Sequence, residues 1–331
     1  MALDKRSTCP DCEPQLSRRD FVRAGGAALV AGTVLPGLAS RAVAAPSPTS
    51  AAETVVAEFY STLSDSQKAA ICLPYNHELR RKINANWHIT APQVGDDIFS
   101  DAQRDLMRRI LKSVTSEDGY ERLQKQMDYD DGGMEAYSVA MFGAPGNGKF
   151  EWEMTGRHLT IRADGDSNRQ AAFGGPIVYG HGEESAKDNL FHYQTLRANE
   201  VFAALDPAQR KKALLKKAPA EANVPIQGAG GKFAGIAAGE LSSDQKQLFE
   251  DVVKVILAPY RQEDVDDALA VLKAGGGIDQ LHLAFYSQED LDDDKVWDIW
   301  RVEGPNFVWH FRGAPHVHAY VNIALARKDR A

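Results

Sequence analysis

Cysteine is scarce, with three in 331 residues. Two of these, Cys9 and Cys12, precede a pair of arginines near the N-terminus, which leaves Cys72 alone in the rest of the chain. A lone cysteine forms no intramolecular disulfide, so no covalent staple is expected. Within Ala69-Ala70-Ile71-Cys72-Leu73 it reads as a buried, inert thiol. Long apolar runs are also missing, and none approaches the roughly 20 residues that cross a bilayer as a helix. Basic residues are outnumbered, 38 Lys and Arg against 46 Asp and Glu, for a net charge of −8. That balance excludes nucleic acid and anionic membranes as partners, because counterion release needs a basic face. There is no collagen-like glycine period, and 44% hydrophobic residues exclude a disordered chain. No Ser-His-Asp order, nucleophile elbow, zincin helix or dinucleotide fingerprint is present.

What is there begins with an export signal. Ser17-Arg18-Arg19-Asp20-Phe21-Val22 precedes a weakly apolar Gly/Ala run from Ala24 to Leu38, followed by Arg41 and the small-residue site Ala42-Val43-Ala44. This order of charge, short apolar run and A-x-A site describes a twin-arginine signal over residues 1–44. The protein is then a client of the twin-arginine export machinery, periplasmic or secreted, with no membrane span in the mature chain. Cys9 and Cys12 leave with the signal. Cargo on that route travels already folded, which favours a bound metal or cofactor.

The remainder carries a repeated pattern. Leu63-Ser-Asp-Ser-Gln67, Phe99-Ser-Asp-Ala-Gln103, Leu205-Asp-Pro-Ala-Gln209 and Leu241-Ser-Ser-Asp-Gln245 each place a Ser or Asp cap behind an apolar residue, the signature of a helix start with a hydrophobic staple. Each pair is spaced by 36 residues, and the pairs are 142 apart. Trp152-x3-Gly156 recurs as Trp300-x3-Gly304 at an offset of 148. The expectation is an α+β fold of two pseudo-repeated helix–helix–antiparallel-sheet units, residues 45–200 and 201–331, their sheets joined into one sheet or an open barrel. Strands are expected over 137–142 and 150–162, and over 281–286, 296–302 and 306–311. Residues 165–188 and 223–239 are glycine-rich and read as loops.

Gly143-Ala-Pro-Gly-Asn-Gly148-Lys149 matches a phosphate loop in letters only. Phe150 stands where Ser or Thr must hold magnesium, and a strand follows where a helix should, so no nucleotide is expected. The acidic run Asp290–Asp294 lacks the Gly and Glu of a calcium loop and reads as a solvated hairpin tip. The histidines are more informative. His316-Val317-His318 on a strand sends both imidazoles to one face, where they can reach one metal. Two ligands do not complete a site, so His88 and His158 are candidates for the others. At the repeat offsets they oppose Gly230 and Asn306, so they are not features of a shared scaffold. Glu303, between aromatic strands, is the candidate catalytic base or carboxylate partner of a liganding histidine.

Leu63-Ser-Asp-Ser-Gln67, Asn86-Trp87-His88, the Phe142-Gly-x-Pro-Gly loop, Gly156-Arg157-His158-Leu159 and Gly304-Pro-Asn-Phe…His316-Val-His318 together resemble the domain-of-unknown-function 3500 family of exported bacterial proteins. The resemblance spans almost all of the mature chain and implies candidate positions at the four histidines rather than a reaction. The chain departs from the commoner pattern in having Gly156-Arg157-His158 for Gly-His-His and Tyr320-Val-Asn for Trp-Arg-Asp. Three functions remain open at this point: a metal-dependent enzyme using the histidine cluster, a non-catalytic metal- or ligand-binding protein, and a structural envelope protein. An imidazole-only site suits copper or zinc, and iron when a carboxylate joins. A small-molecule ligand fits either of the first two.

Overall fold

The computed structural model describes residues 45–326, and residues 1–44, read above as an export signal, lie outside these. Eight α-helices occur among the described residues: α1 (Ala51–Ser61), α2 (Asp65–Ile71), α3 (Asp101–Val114), α4 (Glu117–Asp131), α5 (His192–Ala204), α6 (Pro207–Ala213), α7 (Ser243–Leu257) and α8 (Gln262–Ala274). The strands are β1 (Cys72–Leu73), β2 (Ser138–Gly143), β3 (Phe150–Gly156), β4 (Leu159–Ala163), β5 (Ile177–His181), β6 (Leu214–Leu215), β7 (Ile236–Ala237), β8 (His282–Tyr286), β9 (Ile299–Gly304), β10 (Phe307–Arg312) and β11 (Val317–Ile323). All eleven join one open, mixed sheet in the order β1-β2-β3-β4-β5-β11-β10-β9-β8-β6, with β7 also on β8. The α+β class and the single joined sheet agree with the expectation from sequence.

The helix starts form for the reason their letters suggest. Ser64, Ser100, Asp206 and Ser242 each accept from the backbone of the glutamine three residues on, and that glutamine's side chain accepts from the cap backbone in return. The two outermost strands, β1 and β6, are only two residues long, which leaves little exposed edge for foreign pairing. Strand alternation gives the sheet two unlike faces. Trp152, Met154, Leu159 and Ile161 pack with α1, α3 and α4 in one apolar cluster. Trp300, Val302, Trp309, Phe311 and Val321 pack with α5, α7 and α8 in another. The opposite face carries Glu151, Glu153, Arg162, Arg301, Glu303, His310 and Tyr320, all buried. Two long connections cover it: residues 73–94, through Trp87, Ile89 and Ala85, and residues 215–226, through Leu215, Val224 and Ile226.

Two details differ from the sequence reading. The stretch 150–162 is two strands, because Arg157-His158 makes a tight hairpin turn in which His158 takes a left-handed backbone, φ 57°. Gly156 closes the turn against Leu159, but no Gly or Asn stands at its left-handed position, and His158 sits at a hairpin tip and not on a strand. The glycine-rich segment 165–188 contains β5, a central strand paired with β11 from Val317↔His181 to Val321↔Ile177. Its glycines serve close approach: a Cβ on Gly180 would stand 2.2 Å from the Val317 carbonyl oxygen. The loop 143–149 closes the β2–β3 hairpin, and Asp290–Asp294 lies in the exposed connection from β8 to β9.

Candidate metal centre

The β5–β11 pairing brings the tip of the β3–β4 hairpin beside the start of β11. His316, just before β11, and His318, on it, project to the same side as successive alternate residues. His158 comes to them from the hairpin. Side-chain ligand atoms of His158, His316 and His318 all lie within 4.8 Å of one another. The ring centroids form a near-equilateral triangle, 5.1 Å from His158 to His316, 4.8 Å from His158 to His318 and 4.9 Å from His316 to His318. The Nε2 atoms of His316 and His318 are 3.1 Å apart. Two imidazole nitrogens on one tetrahedral ion, each at about 2.0–2.1 Å, stand roughly 3.3 Å from each other. The spacing suits a ligand pair as well as it suits the hydrogen bond between the two rings.

Carboxylates set the tautomers. His158 Nδ1 lies 2.7 Å from Asp130 Oδ2, at the end of α4, and His318 Nδ1 lies 3.1 Å from Glu221 Oε1. An ionised carboxylate only accepts, so each Nδ1 donates and each Nε2 carries the lone pair, which on His318 meets the His316 Nε2. Asp130 also accepts from the Gly182 backbone N–H at 2.8 Å and from Gln126 Nε2 at 2.8 Å. Burial raises its carboxyl, but the His158 bond and these donors hold it below the usual range. Glu221 is likewise raised by burial and brought down to about 2 by His318, Arg312 and the Tyr320 hydroxyl, which donates to it at 3.0 Å. Burial, together with the neighbouring histidines, Arg312 and Arg157, pushes His316 down to about 4. Burial lowers His318 as well, although the Glu221 bond works against it, so His316 and His318 favour the neutral form at neutral pH, the form that binds metal without first losing a proton.

His158 is buried, whereas His316 and His318 are partly exposed, so the triangle opens on one side. Three nitrogen ligands with an open side match the pattern of catalytic sites, while closed structural sites use four.

Of the other candidates, His88 is exposed and lies outside the group. Its neighbours Trp87 and Ile89 are buried, so the segment docks by them and turns the histidine outward. Glu303 is held by Arg301, whose Nε donates at 2.8 Å, and by Gln227. It lies two strands and four residues from His318 in register, roughly 16 Å at about 4.8 Å per strand and 3.3 Å per residue. The carboxylates that meet the histidines are Asp130 and Glu221. Neither carries a local sequence signal, since Asp130 is one of several acids closing α4 and Glu221 sits in a plain loop.

No curated protein and no solved structure matches the chain. Residues 45–323 match the family described as "Protein of unknown function (DUF3500)", and the chain belongs to that family.

Proposed function

We propose that the protein is an exported, periplasmic metal-dependent enzyme whose centre is His158, His316 and His318. One observation carries this reading: three imidazoles with mutually close ligand atoms, two of them oriented by buried or half-buried carboxylates. Chance pairs of histidines do not come with both backing carboxylates already bonded to the far ring nitrogen. The donor set suits copper or zinc, with iron third because no carboxylate reaches the triangle. When bound, such an ion supplies Lewis acidity at its free position. Around it the protein's own groups do the rest. Asp130 and Glu221 hold the rings, and Arg157 and Arg312, ion-paired to those carboxylates at 4.0 and 2.9 Å, lie beside His316.

The test is elemental analysis of protein purified from the periplasm, followed by turnover assays with and without the metal. Metal at one ion per chain, lost in H316A/H318A, supports the centre. Full occupancy in that variant overturns it. A non-catalytic metal carrier is the second reading. The partial exposure of His316 and His318, which lets an ion leave, favours it. Metal bound without turnover on any acidic ester, amide or phenolic substrate selects the carrier.

We also propose that residues 45–200 and 201–331 descend from one duplicated unit. The succession of two helices, a two-residue strand, two helices and a run of antiparallel strands begins at α1 and again at α5, which starts at His192, ahead of that boundary; the second run adds β7, and β1∥β2 mirrors β6∥β8. Superposing residues 63–162 on 205–311 tests it, with Trp152 expected to fall on Trp300 and Gly156 on Gly304.

A further inference from the structure

Apart from the histidine centre, the loop-covered face of the sheet holds a cleft of about 1460 Å³. It is bounded by the start of the first covering loop, by most of the second, and by the strand ends of β9 and β11. Its charged lining is one-sided: Arg80, Arg81, Lys217, Lys232 and Arg301 against the single carboxylate Glu303. That bias runs opposite to the chain, which has a net charge of −8. Two of the five are neutralised from behind, Arg301 by Glu303 and Arg80 by Glu151 at 2.9 Å. Arg81, Lys217 and Lys232 have no ion-pair partner among the described residues, so the cleft keeps an uncompensated positive charge. Arg301 is 4% exposed, yet its Nη1 has no hydrogen-bond partner. A buried guanidinium nitrogen left unpaired costs free energy unless something else satisfies it.

We propose that this cleft binds an extended organic anion bearing at least two acidic groups. The cations stand on different walls, Arg81 on the first covering loop, Lys217 on the second, and Lys232 in the stretch between the second and β7. A single small anion reaches one wall only. The volume exceeds the roughly 300–1,000 Å³ of ordinary small-molecule pockets, which calls for a long ligand. Asn168, Gln170 and Asn322 offer amide contacts between the charged walls, and apolar lining, Tyr286 among it, suits a carbon framework between two acidic ends. The claim is independent of the metal centre, and it is tested on protein stripped of metal.

The probe is naphthalene-2,6-disulfonate, a rigid dianion that chelates no metal and stays charged at every working pH. Titration calorimetry on the full chain compares it with the neutral naphthalene-2,6-dimethanol. The dianion is expected to bind at least about 10-fold tighter, because charge-assisted contacts are roughly twice as strong as neutral ones. Its affinity should fall by a similar factor from about 20 to 200 mM salt as surface charges are screened. The exposed triple variant R81A/K217A/K232A should lose about 10-fold or more with an unchanged melting temperature, and R81K/K217R/K232R should stay within about 3-fold of wild type. Equal binding of the neutral analogue, or wild-type affinity in the alanine variant, overturns the proposal. So does dianion binding that survives the triple variant and disappears in H316A/H318A, which would place the anion at Arg157 and Arg312 instead.

Discussion

Gln67 and Gln103 are bonded to each other side chain to side chain, Gln67 Nε2 donating at 2.8 Å and Gln103 Nε2 donating back at 3.1 Å. Gln209 and Gln245 repeat the exchange at 3.1 and 2.8 Å. Each glutamine also closes the capping box of its own helix. The 36-residue spacing in the sequence is therefore the distance between two helix starts that lock onto one another. This gives the glutamine a reason to be there beyond its local cap.

The histidine centre should bind one copper or zinc ion per chain. H158A, H316A and H318A should each lower affinity by about 100-fold or more, since removing one of three ligands leaves too few for a stable site. H88A should leave metal content unchanged and shift stability by no more than about 0.5 kcal/mol, as exposed positions do. Competition titration against a chromogenic chelator reads both.

Asp130→Asn and Glu221→Gln should weaken metal binding by about 10- to 100-fold without abolishing it. Each change removes the negative charge behind the far nitrogen and swaps one accepting oxygen for an NH2 donor, while leaving the ligand in place. Loss as severe as that of H318A would mean the carboxylate itself is a ligand.

Stability should fall with acid through His310. Burial, with Arg301 adding, pushes this imidazole down to about 3. Between its unfolded value near 6.5 and about 3, the unfolded chain binds the proton and the folded one does not, so stability is lost as pH falls. From pH 6.5 to 4 the loss from this group is about 3 kcal/mol. Urea unfolding of H310Q should show a pH dependence shallower by that amount. An unchanged slope would show that His310 takes up its proton while folded.

Gly156→Ala should destabilise the protein and loosen the metal together. A Cβ at this position would stand 2.2 Å from the Tyr137 ring, and the Tyr137 hydroxyl donates to the Arg157 carbonyl at 2.8 Å, holding the hairpin that presents His158. Overpacking of this kind costs about 1–3 kcal/mol. Metal affinity should drop in the same variant although no ligand has changed. Thermal unfolding and chelator competition together decide it.

Arg18→Lys with Arg19→Lys should leave the protein in the cytoplasm, the outcome that the twin-arginine reading of residues 1–44 requires. Fractionation with an antibody to the mature chain reads the outcome.

The parts of this molecule that are local could be read from its letters. Four helix starts follow from caps three residues ahead of glutamine, and His316 and His318 share a side because a strand has a period of two. Long-range arrivals are different. Nothing in Asp130 or Glu221 distinguishes them from other acids until the fold carries α4 and the loop after β6 to the histidines. His158 is a ligand candidate in the sequence, but its turn is hidden, since a histidine with positive φ replaces the glycine that would have announced it. β5 was masked in the opposite way, by glycines that mark close packing against β11 as readily as they mark a loop.

The centre draws His158 from one side of the β5–β11 seam and Glu221, His316 and His318 from the other. No stretch shorter than residues 130–318 contains the whole constellation with both its carboxylates. A growing chain therefore has nothing with which to capture an ion until the last of its strands has been made and laid against β5. Loading of the proposed centre would then be a finishing step, and a chain truncated before β11 should be blind to metal however well its first half has folded.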